Sequence, residues 1–283
     1  MSKSLTAALL LLCVSTPLLA TNVVITTGSR GGSYFATGEK LATILSEYDY
    51  TATVEKSRGS IENIERVANG EAAIGFTQLD ALAWWMNKNP TPPDGKPFTV
   101  LGNLFPECVY IAVNKKGPID DEDDLQSDKG RIAVQKRGSG SAVTWEYMRM
   151  LEPGYAESQT IFQGGMQVLA QLADNPDGEF NAFMWVSDPQ NLDQRYLQTV
   201  LNNENLKLID VDDKDLNDKF EPLGRPIYRF EEPDVAKGLI MDQEINTICM
   251  DAVVIAGKSA DDDMLDDVAD ILINHRNRLF GKE

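Results

Sequence analysis

The sequence has almost none of the residues that support histidine-based chemistry. Its one histidine, His275, lies in a charged stretch near the C-terminus, and no Cys-x-x-Cys pair occurs. A histidine zinc site and a Ser-His-Asp triad are therefore both disfavoured. Carboxylates are plentiful, but none is marked by its context as an acid/base pair. We assign no catalytic and no metal-ligating residue, and we expect neither enzymatic activity nor a cofactor.

Positive charge is also scarce. Lysine and arginine number 26 against 44 aspartates and glutamates, which gives a net charge of −18. This balance argues against nucleic acid as a partner, because a phosphate backbone selects basic surfaces. A small anion remains possible, since a local nest of backbone N–H groups can bind it against the overall field. The acidic run Asp120–Asp124 lacks calcium-loop spacing and is interpreted as a solvated helix start.

Long apolar runs are confined to the first twenty residues. Lys3 is the only charge before Arg30, and residues 5–20 are apolar or small. This pattern predicts a signal peptide over residues 1–20, cleaved near Ala20, and hence a periplasmic protein. A membrane anchor or a buried N-terminal helix is the alternative, but the run is short for a span. The mature chain keeps two cysteines, Cys108 and Cys249, which either pair in an oxidising compartment or are small buried residues.

Strand and helix patterns alternate over the start of the mature chain. The expected order is strand 23–26, helix 36–48, strand 50–54, helix 61–68 and strand 72–76, which is typical of a parallel α/β sheet. Later segments predict strands over 98–105, 109–113, 206–210 and 246–256. An amphipathic helix is expected over 263–279. We place one lobe at 21–108 plus 208–283 and the other at 109–207.

One device occurs twice: a strand runs into a glycine-rich turn that opens a helix. The first turn is residues 28–32 and the second is residues 138–140. Such turns direct free N–H groups and the positive end of a helix at one point, where a carboxylate or phosphate binds. We expect the two turns to face each other across a cleft between two lobes. A P-loop is excluded because Glu39 follows Gly38, and no Gly-x-Gly-x-x-Gly turn is present.

A further polar glycine turn, residues 56–60, follows the strand predicted over 50–54. This turn and the two above each carry an arginine beside a glycine, namely Arg58, Arg30 and Arg137. Arginine binds carboxylates with two parallel hydrogen bonds, so at least one is expected at the site. The alternative is that they face solvent. Gln78, at the end of a buried strand, suits an amide contact to a ligand or a loop-closing hydrogen bond. Trp185 forms either an apolar wall of the site or part of the core.

The serines that open the two helices complete the candidate set. Ser33, with Tyr34 beside it, opens the first helix, and Ser139 and Ser141 open the second. Their hydroxyl groups either cap the helices or bind the ligand, and capping is the commoner role.

An ordered set of motifs resembles a known family. The motifs are Gly28-Ser-Arg-Gly-Gly-Ser-Tyr-Phe-Ala-Thr-Gly38, Gly59-Ser-Ile-Glu-Asn63, Asn69-Gly-Glu-Ala-Ala-Ile-Gly-Phe-Thr-Gln78, Asp124-Leu125 with Gly130-Arg-Ile-Ala-Val134, and Gly138-Ser-Gly140. Together they resemble the TAXI solute-binding proteins, the extracytoplasmic components of one class of tripartite ATP-independent periplasmic (TRAP) transporters. The resemblance covers nearly the whole mature chain.

The resemblance implies an α/β, two-lobed periplasmic binding protein of type II, with the ligand cleft between two α/β domains joined by crossing strands. It implies capture of glutamate, glutamine, 2-oxoglutarate or a similar carboxylate, and delivery to integral-membrane TRAP permease subunits. By motif position, the ligand contacts fall on Ser33, Tyr34, Ser60, Gln78, Ser139, Gly140 and Ser141. We expect the ligand carboxylate to meet the backbone N–H groups of Gly32–Tyr34 and Gly138–Ser141. The chain departs from the family pattern at Arg137 and at Ser187-Asp188-Pro189.

Other functions stay open at this stage. A secreted sensor that hands the same ligand to a signalling partner would share the fold, and only a neighbouring permease gene would separate the two. An enzyme on a similar two-lobed fold is disfavoured by the missing acid/base pair, and a nucleotide-binding module by the failed P-loop match. We expect a monomer that binds no nucleic acid.

Overall fold

The computed structural model describes residues 22–90, 98–237, 243–258 and 260–281. The predicted signal peptide, residues 1–20, lies outside the described residues. No helix in the described part of the chain combines the length and apolar character that a membrane span requires.

The chain alternates strands and helices in two stretches. The first comprises β1 Asn22–Thr26, α1 Ser33–Leu45, β2 Thr51–Glu55, α2 Ser60–Ala68, β3 Ile74–Gln78 and α3 Leu79–Lys88. The second follows β4 Phe98–Asn114 and comprises β5 Arg131–Ala133, α4 Gly140–Leu151, β6 Gln159–Ile161, α5 Met166–Asp174, β7 Ala182–Ser187, α6 Arg195–Leu201 and β8 Leu206–Ile209. We call β1–β3 with α1–α3 the first half, and β5–β7 with α4–α6 the second half.

The last part of the chain adds short strands, one long strand and two helices. They are β9 Lys219–Phe220, β10 Arg225–Pro226, β11 Arg229–Glu231, β12 Asp234–Ala236, β13 Gln243–Glu244, β14 Thr247–Gly257, α7 Asp262–Asn274 and α8 Arg276–Phe280. The sequence patterns did not predict the short strands between 219 and 244, because two- and three-residue strands carry no readable periodicity.

Two long antiparallel strands join the halves into one sheet. Its order is β2-β1-β3-β14-β4-β7-β5-β6, with β8 also paired to β4 and β11 to β14. Strands pair in parallel within each half, β1 with β2 and β3, and β5 with β6 and β7. The N-terminal part of β4 pairs with β14 and its C-terminal part with β7. The ends of the parallel strands in both halves therefore open toward the region where β4 passes between them.

Two expectations about element boundaries are wrong. The strands predicted over 98–105 and 109–113 are one strand, β4, which continues through Pro106. Pro106 lies opposite Asp251, where the β4–β14 register shifts, so its missing N–H removes no regular ladder bond. The helix predicted over 263–279 is two helices, α7 and α8, separated by His275, whose backbone leaves the helical region at φ −116° and ψ 24°.

The two cysteines left open by the sequence form a disulfide. Cys108 on β4 and Cys249 on β14 lie directly opposite each other, and both are fully buried. The bond joins the two strands that link the halves, and it closes a loop of 141 residues.

A buried carboxylate links helix α3 of the first half to helix α4 of the second half. Asp80, in the first turn of α3, is fully buried and accepts hydrogen bonds from the Thr144 hydroxyl of α4 at 2.6 Å and the Tyr228 hydroxyl at 2.9 Å. The Ala81 backbone N–H donates to its other oxygen at 2.6 Å. Burial nevertheless raises the pKa of Asp80 to about 6, because desolvation outweighs these donors.

We predict that loss of the disulfide lowers the stability of the folded chain by up to about 5 kcal/mol, through the chain entropy regained by a 141-residue loop. The measurement is guanidinium unfolding of the mature protein with and without reductant, beside a Cys108→Ala/Cys249→Ala variant. Equal midpoints for all three would contradict the prediction.

We predict that Asp80 makes the protein less stable as the pH rises. Its pKa in the folded state lies above the unfolded value, so its favourable contribution is complete below about pH 4 and is lost as the pH rises through about 6. The loss is at most about 3 kcal/mol. Asp80→Asn should flatten the unfolding free energy between pH 4 and 7. Thr144→Val, which keeps the carboxyl but removes a donor, should steepen it; parallel curves for Asp80→Asn and the natural chain would refute the assignment.

Candidate functional site

The principal cavity lies where the glycine turns of the two halves meet, and it measures about 410 Å³. We call it the main cavity. The first half lines it with Gly28, Ser29, Gly32, Ser33, Tyr34, Arg58, Gly59, Ser60 and Gln78. The second half lines it with Gln135, Lys136, Ser139, Gly140, Ser141, Val186, Ser187 and Asp188, and β4 contributes Glu107.

The two halves approach each other closely at the main cavity. A Cβ added to Gly140 would lie 2.0 Å from the Gln78 Oε1 atom, and one added to Gly59 would lie 3.0 Å from the Gly138 carbonyl oxygen. Gly59 also has φ +138°, which L-residues rarely adopt. These positions need glycine because the loops of opposite halves approach within contact distance. The structure therefore places the two predicted turns across one cleft.

Two long helices begin at the cavity, one from each half. Gly32 precedes α1 and provides no side-chain cap, whereas the Ser139 hydroxyl of the second half accepts from the Ala142 N–H at 3.4 Å. The Ser141 hydroxyl accepts from the Val186 N–H at 3.1 Å and so ties α4 to the end of β7. The positive ends of α1 and α4 thus point into the same space, which favours an anionic group there.

Gln78 is the least satisfied polar side chain of the site. It is only 3% exposed, and its Oε1 atom has no hydrogen-bond partner among the described residues. Its backbone N–H donates to the Ser60 hydroxyl at 3.3 Å, which fixes the end of β3 against α2. A buried carbonyl oxygen without a donor costs about 1–3 kcal/mol, so this atom is suited to receive a donor from a bound molecule.

A carboxyl group that sequence reasoning did not select lies at the same site. Glu107, half-buried on β4, accepts a hydrogen bond from the Tyr34 hydroxyl at 3.0 Å. Burial is the main cause that raises the pKa of Glu107 to about 8, with further contributions from the charges of Asp80 and Asp188. The available signal was one charged residue between two apolar strand segments, a position that is costly unless it is used.

Gln135 and Lys136 are the other lining residues that were missed. Gln135 adopts a left-handed backbone at φ +68°, uncommon for a residue with a side chain. Its N–H donates to the Gln163 carbonyl at 2.7 Å, and Gly164 packs directly on it. This turn directs Lys136 along the cavity lining. The left-handed backbone of Gln135 is held by tertiary contacts that have no local sequence signature.

The predicted site residues separate into two groups. Eight of them line the main cavity: Gly32, Ser33, Tyr34, Ser60, Gln78, Ser139, Gly140 and Ser141. The structure does not bring Arg137 or Trp185 to it. The Arg137 guanidinium stacks on the Phe162 ring at 3.6 Å, and Trp185 is 1% exposed, stacks on Tyr110 and donates to Gln194.

The remaining two arginines of the glycine turns behave differently from each other. Arg58 lines the main cavity, although its side chain is 80% exposed and pairs with Glu62 at 2.7 Å. Arg30 is absent from the lining and its guanidinium lies 5.7 Å from the centre of the Phe35 ring. Lys136 and Arg58 are therefore the cations of the cavity, opposed by Glu107 and Asp188.

One group of side chains in the described part of the chain has the composition of a metal site. Cys108, Cys249 and Glu231 bring their ligand atoms within 4.8 Å of one another. The disulfide occupies both sulfur atoms, and Glu231 pairs with Arg229. This group is not part of the main cavity lining.

Solved structures with the same architecture show the fold of the chain. XAC2383 from Xanthomonas citri, in a structure with bound ATP, matches with a TM-score of 0.57 at 10% identity over 92% of this chain and 89% of that one. The GluR0 ligand-binding core in complex with L-glutamate matches at 0.50, with 12% identity over 93% and 96%. CA3427 of Candida albicans, described as having the generic periplasmic binding protein fold, matches at 0.50, with 17% identity over 93% and 71%.

Similarity at such low sequence identity shows only the fold, which is that of the two-lobed periplasmic binding proteins. The family is shown by sequence. The model of the NMT1-like family matches residues 25–279, nearly the whole described chain. The chain belongs to the NMT1-like family.

Proposed function

We propose that the protein is the extracytoplasmic solute-binding subunit of a TRAP transporter of the TAXI class, and that it captures a small carboxylate between its lobes. The observation that carries the proposal is the pairing of two helix N-termini from opposite halves at one cavity of about 410 Å³. The motif order of the sequence supports the assignment to the TAXI class.

In this proposal the ligand carboxylate binds at the N–H groups of residues 32–34 and 139–141, with Lys136 nearby. Ser60 and Gln78 bind the rest of the ligand from the first half. Closure brings Gly140 against Gln78 and Gly59 against Gly138, and this contact completes the site. The lobes would be 21–108 plus 208–283 and 109–207, with boundaries inside β4 and β8.

The proposed partners follow from this role. A membrane permease would recognise the closed form and take up the ligand, in a cycle that uses neither a metal nor a covalent step on this chain. The protein would act as a periplasmic monomer after removal of residues 1–20. A secreted sensor with the same ligand is the alternative for the fate of the bound solute.

A polyanionic nucleotide is a poorer candidate for the main cavity. XAC2383 is described with bound ATP, but here Glu107 and Asp188 line the cavity beside the cations Lys136 and Arg58. The four negative charges of a triphosphate exceed the two cations of the lining, and the Asp188 carboxylate would repel them. ATP therefore serves as a negative control in the binding test.

We predict that Lys136 and its neighbour Arg137 differ sharply in their effect on ligand binding. The two cations are adjacent in sequence, but only Lys136 lines the main cavity, and Arg137 is held by Phe162. Lys136→Ala should lower the affinity for the tightest-binding carboxylate at least tenfold, about 1.4 kcal/mol of binding free energy. Arg137→Ala should change that affinity less than threefold.

The test is calorimetric titration of protein that has been unfolded and refolded to remove carried-over ligand. Glutamate, glutamine, 2-oxoglutarate, succinate and ATP form the panel. Binding of a carboxylate but not ATP, with the stated difference between the variants, supports the proposal. If none of the carboxylates binds, the proposed ligand class is wrong. If the protein chemically converts a bound ligand, the proposed transport role is wrong.

A further inference from the structure

The main cavity contains acceptor groups for which a simple carboxylate ligand supplies no hydrogen-bond donor. Gln78 Oε1 is buried and has no partner among the described residues, and Glu107 presents a carboxyl group held by Tyr34. A carboxylate ligand has no donor to give to either group. A ligand that carries N–H groups at one end and a carboxylate at the other would satisfy both the acceptors and the helix N-termini.

The charges around Glu107 come from several elements. Tyr34 of α1 donates to it, and Asp80 at the start of α3 and Asp188 after β7 both disfavour its ionisation. Lys136 and Arg58 line the same cavity. From β14, its register partner is the uncharged Met250.

The neighbouring charge on β14 is already satisfied. Asp251 accepts from Arg229 at 2.9 Å and from Asn103 at 2.8 Å. Among the described residues no cation forms an ion pair with Glu107, in contrast to Glu62 and Asp251, which pair with Arg58 and Arg229. Burial beside two further carboxylates keeps Glu107 mostly protonated at pH 7, since its pKa is raised to about 8.

Resting on the proposed function, we propose that Glu107 selects ligands with an amino group and exchanges a proton for it. In the free protein the carboxyl carries a proton. When the ammonium group of an α-amino acid binds beside it, the O–H proton leaves to solvent and a carboxylate–ammonium pair remains. The ammonium keeps its three protons, one of which is directed to Gln78 Oε1. The carboxyl group gains one negative charge when its proton leaves, and the positive charge of the ligand ammonium balances it.

The test compares L-glutamate with glutarate, which is the same diacid without the amino group. Titrations at pH 7 in phosphate and in Tris, which differ in ionisation enthalpy, count the protons released. We expect L-glutamate to release between about 0.5 and 1 proton and glutarate to release none. This count uses the natural chain, so it does not depend on the folding of a variant.

Two variants then assign the proton. Glu107→Gln should abolish proton release and lower the affinity for L-glutamate at least tenfold. The affinity for glutarate should change less than threefold. Asp188→Asn removes a carboxyl from the same cavity and should reduce the release without abolishing it, because Asp188 contributes to the raised pKa of Glu107. Thermal melting with unchanged cooperativity establishes that both variants are folded.

The outcomes separate this inference from the function on which it rests. Binding of L-glutamate without proton release, or equal weakening of L-glutamate and glutarate in Glu107→Gln, overturns the inference and leaves a carboxylate-binding protein. Tight binding of 2-oxoglutarate together with weak binding of L-glutamate also overturns the inference, because protonated Glu107 would then donate to the 2-oxo group. Binding of none of these acids overturns the proposed function, and the inference with it.

Discussion

The contact between Gly140 and the Gln78 amide is the constraint on which the site depends. Gly140 begins α4 in the second half and Gln78 ends β3 in the first, and a side chain at 140 would overlap the amide. The same approach brings Gly59 to Gly138. The N-termini of two helices therefore converge on one volume, where their partial positive charges add.

Under the proposed function, this convergence accounts for the binding of an anionic group by an acidic protein. The net charge is −18, yet the groups that face the ligand position are backbone N–H donors, Lys136 and Arg58. Glu107 and Asp188 are the carboxyl groups of the lining, and the environment of Glu107 favours its neutral form. Local preorganised donors outweigh a distant surface charge that salt screens within about 10 Å. A cavity with both kinds of group suits a ligand that has a positive and a negative end.

Much of the first half was predictable because its signals are local. The strand, the glycine turn and the helix that follows determine where Ser33 and Tyr34 lie, and the end of a buried strand determines where Gln78 lies. Ser139 and Ser141 follow by the same rule. The alternation of elements similarly predicted the parallel α/β sheet, whereas the two lobes were expected from the repeated glycine turn and from the family resemblance. The sequence patterns divided β4 near Pro106 and joined α7 to α8.

The errors concern residues whose position depends on distant packing. Lys136 and Arg137 are adjacent and chemically alike, and the choice between them depends on Phe162 and on the left-handed backbone of Gln135. Glu107 reaches the cavity because β4 runs between the two halves, a topology that no local pattern shows. Trp185 belongs to the core because Tyr110 on the paired strand stacks against it. Contacts between residues that are distant in the sequence decided each case.

The most direct test of the account is a distance measurement across the cleft. Spin labels on Arg30→Cys, beside the first glycine turn, and on Gln163→Cys, which follows β6 and bonds to Gln135, lie on exposed positions of opposite halves, and the buried disulfide need not be reduced to attach them. We predict that the tightest-binding acid shortens and narrows the distance distribution, as the lobes close over it. An identical distribution with and without saturating ligand would contradict capture by lobe closure.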